Sequence, residues 1–159
     1  MSEGLHRNAE RVVAAGRALG LVVDVRSFPE GTRTANDAAA AIGVDVGAIV
    51  KSLVLDSDEG PLVALLSGAN QADFGAVGHA LGVSGVRRAD ARQARDATGY
   101  PVGGTPPFGH VSPLPTAVDE DLLHFEEVWA AAGTPHLVFP ITPGDLVRAT
   151  GGQVAKLSG

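Results

Sequence analysis

Lys51 stands inside an otherwise apolar run, Ile49-Val50-Lys51-Ser52-Leu53-Val54-Leu55, interrupted besides only by Ser52. A lysine so placed must lead its ammonium out to water along its stem or meet a partner, because a charge is seldom left among aliphatic neighbours. Two kinds of site meet that demand. One is a sheet edge, where the head escapes to solvent; the other is a cleft, where one cation can hold a phosphate or a carbonyl oxygen. The second segment with chemistry in it is Gly99-Tyr100-Pro101-Val102-Gly103-Gly104-Thr105-Pro106-Pro107-Phe108-Gly109-His110. Proline removes donors and fixes φ while glycine admits backbone shapes that other residues resist, so this run is neither a helix nor an unbroken strand. It is a shaped loop whose bare backbone can approach a ligand closely.

Other kinds of site are set aside by spacing. Ser84 lies in Gly82-Val83-Ser84-Gly85, with the second glycine one place too early for a nucleophile elbow. Lys51-Ser52 lacks the preceding glycines of a phosphate loop. Gly75, Gly78 and Gly82 follow a polar stretch where a dinucleotide fingerprint requires a strand. His79, His110, His124 and His136 are scattered, and His124-Phe125-Glu126 lacks the paired histidines of a zinc peptidase, so neither a metal nor any other cofactor is expected. There is no cysteine, which removes thiolate nucleophiles, disulfides and cysteine-bound zinc.

The elements that must position these residues follow from periodicity and caps. A chain of 159 residues is the size of one domain, and a single domain over residues 1–159 is expected. Residues 3–19 carry a helical apolar stripe ended by Gly20, and residues 21–25 read as a strand. Thr34 or Asn36 can cap a helix to Ile42, stopped by Gly43. Residues 48–55 and 61–66, joined by a polar turn with Gly60, form a hairpin. Helices are expected at 73–81 and 89–97, with Asn70 and Asp73 as turn and cap, a short strand at 115–118 and a capped turn at 119–123. A second strand pair follows at 125–131 and 137–141, and a last helix at 143–149 is opened by Thr142 and Pro143. Hairpins and helices without regular strand-helix alternation predict an α+β fold, with a mixed, mostly antiparallel sheet.

The formal charge of −6 argues against a general nucleic-acid coat. Arg87, Arg88, Arg92 and Arg95 nevertheless crowd just before the glycine loop, and on a helix Arg88, Arg92 and Arg95 share one face. That face is either simply solvated or a phosphate-facing patch. No signal peptide and no apolar stretch of membrane-spanning length is visible, and a cytoplasmic protein is expected.

On these residues the chain resembles the YbaK/prolyl-tRNA synthetase-associated domain family, the trans-editing aminoacyl-tRNA deacylases. The likeness runs from about residue 34 to 150. It is carried by Ile49-Val50-Lys51-Ser52-Leu53-Val54, Thr98-Gly99-Tyr100-Pro101-Val102-Gly103-Gly104, Pro107-Phe108-Gly109, Val118-Asp119-Glu120 and Ala132-Gly133, in that order. The resemblance implies a compact α+β domain whose central mixed sheet curls toward a barrel, surrounded by helices, with its site in a cleft lined by the lysine and the glycine loop. It also implies hydrolysis of the ester that joins a wrong amino acid to a tRNA, Cys-tRNA(Pro)-like substrates among them, with the aminoacyl-tRNA acceptor end as partner and a synthetase as a further one. A second hydrolytic sieve is physically motivated, since one pocket separates small side chains by only ~1–3 kcal/mol.

No protein nucleophile is required by that chemistry, because the substrate can supply a ribose hydroxyl, a water or a cysteine thiol. Lys51 would anchor the ester or terminal phosphate. Pro106 and Pro107 donate no hydrogen bond, so the catalytic cradle falls to Gly103, Gly104 and Thr105. Tyr100, Pro107, Phe108, Gly109, Asp119 and Gly133 are the implied substrate-binding residues, and Arg88, Arg92 and Arg95 the implied tRNA contacts. Some branches carry a histidine that selects alanine, or a serine in the cysteinyl branch, where this chain has Ala131. The same fold without hydrolysis would be a tRNA- or synthetase-binding module, and a free-ester hydrolase is a more distant alternative.

Overall fold

Each helix begins on a side-chain cap, in a computed structural model that describes residues 6–28, 32 and 34–159. His6 accepts from the Asn8 N–H to open α1 (Arg7–Ala18), and the expected residues 3–5 of this helix lie outside the described residues. Thr34 caps α2 (Ala35–Ile42), Asp73 caps α3 (Phe74–Leu81), Asp90 caps α4 (Ala91–Thr98) and Thr142 caps α5 (Pro143–Thr150). Such caps are worth about 1 kcal/mol each. They matter here because four of these helices are only eight residues long.

The hairpin is β2 (Val50–Asp56) against β3 (Leu62–Ser67), with Val50 opposite Ser67 and Leu55 opposite Leu62. β4 (Arg87–Arg88) pairs antiparallel with the end of β2, while β5 (Thr116–Asp119) runs parallel to β3 and β8 (Gln153–Ala155) parallel to β5. This sheet has the order β4-β2-β3-β5-β8. A second, antiparallel sheet, β1-β7-β6, is built from β1 (Arg26–Ser27), β7 (Leu137–Ile141) and β6 (Val128–Ala131). Among the described residues the two sheets are bridged by one parallel pair, Ile49 with Trp129. The fold is thus α+β with mixed, mostly antiparallel strands.

Period-two alternation on β3 sorts its side chains to two cores. Val63 and Leu65 meet Val118, Val128, Phe139, Val12 and Leu146 between the sheets. Leu62, Ala64 and Leu66 meet Val77 of α3 and Leu157 on the outer face. All six residues of β3 are buried, as expected of a strand covered on both faces.

Two expectations need correction. Residues 21–25 form no strand; Leu21 and Val23 enter the core from an extended segment, and pairing begins only at Arg26, opposite Val138. Arg88 is in β4, ahead of the Asp90 cap, so it shares no helix face with Arg92 and Arg95.

Candidate functional site

The site is a gap in strand pairing. On the edge of β2 away from β3, among the described residues, β6 pairs only with Ile49, just ahead of β2, and β4 only with Leu55 and Asp56, so residues 51–54 have no strand on that edge. The Gly68 N–H donates to Ile49 O at 2.7 Å on the β3 side. Peptide groups alternate along a strand, so those of Ser52 and Val54 turn away from β3, into the gap. A cavity of about 500 Å³ fills it, with Ile49, Trp129 and Val138 as apolar walls and Lys51, Gly103 and Thr105 among its polar lining.

Lys51 is half-buried, and its Nζ donates to the backbone carbonyl of Asn70. Burial strips water from the ammonium and holds its pKa below the ordinary lysine value, with the Asp119 charge opposing that shift. Asp119 itself is fully buried. Its Oδ2 accepts from the Ser67 N–H at 3.0 Å and Asn70 Nδ2 at 2.9 Å, and its Oδ1 from the Asp121 N–H at 3.0 Å. Asn70 Nδ2 also donates to Asp121 Oδ2 at 2.7 Å. The carboxylate therefore holds the residue on which Lys51 rests and stands behind the cavity wall.

The glycine loop is pinned from outside. Gly103 has φ +87° and lies at the cavity. The Gly104 N–H is spent on Pro101 O at 3.0 Å, and its carbonyl accepts from the Gly133 N–H at 2.9 Å. Asn8 Nδ2 in turn donates to Gly133 O at 3.0 Å. Of the three expected donors, the N–H groups of Gly103 and Thr105 thus stay unspent among the described residues, and that of Gly104 is used within the loop.

The remaining expected residues support the loop. Tyr100 is buried with the Arg11 guanidinium 4.5 Å over its ring, Phe108 packs edge-on to Phe139 at 5.7 Å, Pro107 is buried, and Gly109 abuts Ala15. None of these four lines the cavity, nor do Asp119 and Gly133. Arg92 and Arg95 are exposed on α4. Sequence reasoning missed Asn70 as a carrier of Lys51; the available signal was a polar residue in the turn that follows the apolar run 61–66. Ser52 Oγ, beside Lys51, is also shut off from solvent and has no hydrogen-bond partner among the described residues.

Among the described residues no His, Cys, Asp or Glu lines the cavity. One cation, unspent N–H groups and an apolar wall can hold an acyl group and the charge that develops on its carbonyl, while the attacking group comes from elsewhere. That is the arrangement of a hydrolase that relies on positioning.

The aminoacyl-tRNA editing domain profile matches residues 29–149. A solved structure described as a candidate trans-editing enzyme for prolyl-tRNA synthetase superposes with a TM-score of 0.92 at 44% identity, covering 98% of this chain and 99% of that one. A candidate Cys-tRNA(Pro)/Cys-tRNA(Cys) deacylase of Enterococcus faecalis is 26% identical over 133 residues, 83% of this chain and 81% of its own. The proline–tRNA ligase of Acidithiobacillus ferrooxidans matches at 30% identity over 93 residues, 58% of this chain and 16% of the ligase. The chain belongs to the aminoacyl-tRNA editing domain family. It is an aminoacyl-tRNA deacylase, a hydrolase of translation quality control. Among the described residues no helix is long and apolar enough to cross a membrane.

Proposed function

We propose that this protein clears, in trans, a small amino acid wrongly esterified to the tRNA for proline, with Cys-tRNA(Pro) the leading substrate. The observation that carries this reading is that Lys51, Gly103 and Thr105 line one cavity together with the apolar Ile49, Trp129 and Val138, the N–H groups of Gly103 and Thr105 being unspent among the described residues. The aminoacyl side chain sits against Ile49, Trp129 and Val138. Lys51 holds the ester or the adjoining phosphate, and the two N–H groups receive the negative charge that forms on the carbonyl oxygen.

The oxygen of a water adds to the ester carbonyl carbon, aided by the neighbouring ribose hydroxyl. The carbon–oxygen ester bond then breaks and the ribose oxygen leaves with the proton. With a cysteinyl substrate its own thiol can attack instead: the sulfur–carbon bond forms, the ester carbon–oxygen bond breaks, the ribose oxygen leaves with the thiol proton, and water then opens the cyclic thioester to free cysteine. The relatives named for Cys-tRNA deacylation and for trans-editing support this substrate class, and the match inside a proline–tRNA ligase supports work beside that synthetase in the cytoplasm.

A panel of mischarged tRNAs tests the reading. Cysteinyl-, alanyl- and seryl-tRNA for proline are each incubated with the purified protein, and the first is expected to be deacylated fastest. Intact esters throughout, under conditions where a related enzyme clears them, would sink the proposal. Arg92 and Arg95 are assigned to the phosphates of the acceptor strand. Reversing their charge should weaken tRNA binding and reduce the slope of log affinity against log salt by roughly one for each phosphate no longer neutralised.

A further inference from the structure

The cleft has a second lobe. Beyond Lys51, Leu53 and Gly103, which are among the residues lining both, a cavity of about 450 Å³ is bounded by Ala72, Phe74, Arg88 and Ala94. Its chemistry differs from that of the first. Lys51 and Arg88 both face it and, among the described residues, no carboxylate does, in a chain whose formal charge is −6. The Arg88 guanidinium lies 5.9 Å from the centre of the Phe74 ring. Its neighbour Arg87 is tied to Asp56 and Asp58, whereas Arg88 forms no ion pair among the described residues. Pairing of Arg88 with Leu55 fixes its backbone at the lobe.

An apolar floor, one aromatic face with a guanidinium beside it, and two cations without an anion suit a nucleotide. A base stacks on a ring or a guanidinium plane, and a phosphate pairs with arginine. We propose that this lobe seats the terminal nucleotide of the acceptor strand, its base against Phe74 and its phosphate on Arg88. The amino acid then occupies the first lobe, and the ester falls at Lys51 and Gly103, where the lobes meet. This assignment rests on the deacylase reading above.

The test pairs binding with turnover. AMP is titrated calorimetrically into the wild type, Arg88→Ala and Phe74→Leu, and kcat/KM is measured on mischarged tRNA and on an aminoacyl ethyl ester that has no nucleotide. AMP is expected to bind the wild type and to compete with tRNA. Each substitution should weaken AMP binding about tenfold, within the range that base stacking supplies, and should lower kcat/KM on tRNA more than on the ester, through KM. Leucine keeps apolar volume where Phe74 packs, and Arg88→Ala alters an exposed side chain, so lost folding cannot account for both results. No AMP binding to the wild type, AMP binding indifferent to both substitutions, or equal losses on tRNA and ester would overturn the nucleotide seat. If AMP binds and responds to both changes while no mischarged tRNA is cleared, the deacylase reading fails and the seat stands.

Discussion

Asn70 and Asp119 are joined by a 2.9 Å hydrogen bond, and through it a carboxylate that never meets solvent holds the residue on which Lys51 rests. We propose that Asp119 thereby acts as a positioning residue. Asp119→Asn leaves one amide group facing N–H donors, at a cost of about 1–3 kcal/mol. It also removes the charge that supports the Lys51 ammonium. The alkaline decline of kcat/KM should therefore move to lower pH in this variant. A merely structural loss would lower Tm and leave the shape of the profile unchanged, which the pH–rate curve shows directly.

For Lys51 the sign follows from burial. Its folded-state pKa is depressed below the ordinary value of 10.5, so the ammonium loses its proton earlier than a free lysine would. Activity carried by that cation should hold near neutral pH and fall before pH 10.5, once spontaneous ester hydrolysis is subtracted. In the window between the folded and unfolded pKa values the unfolded chain binds more proton, so stability rises with pH there and the charged lysine is a burden below it. Lys51→Met is accordingly expected to lose on the order of 10²–10³ in kcat, with Tm unchanged or raised. A variant as active as the wild type, or one that unfolds, would remove the lysine from this role.

Gly104 is where the loop abuts another backbone rather than side chains. A Cβ there would lie 2.7 Å from Thr134 Cα and 2.9 Å from Thr134 N and C, all of them backbone atoms that cannot swing aside. Gly104→Ala should cost about 1–3 kcal/mol and push the Gly103 N–H out of line. Chemical denaturation and kinetics on the same variant should fall together; full activity in a destabilised protein would show that the loop geometry is not catalytic.

Much of the scaffold could be read from local signals. Thr34, Asp73, Asp90 and Thr142 announce helix starts through a short oxygen-bearing side chain, and Gly43 and Gly82 close helices with left-handed φ. The hairpin was legible because Gly60 sits between two apolar runs. Arg26–Ser27, Arg87–Arg88 and Gln153–Ala155 were not, since two or three residues become a strand only when a distant partner is present. The same limit governs the site. Lys51 and Gly103 stand out by residue type, whereas Asn70 acquires its role from Asp119, forty-nine positions away in sequence.

The unpaired stretch of β2 also bears on how copies of this protein could meet. An exposed strand edge is a template for another chain, and aggregation starts at such places. Here the open edge spans residues 51–54, stopped by β6 at one end and by β4 at the other. This window is shorter than the usual strand of about five or six residues, so it offers an invading chain little to pair with. The two flanking strands that frame the cavity thus also shorten the edge that a second copy of the protein could pair with.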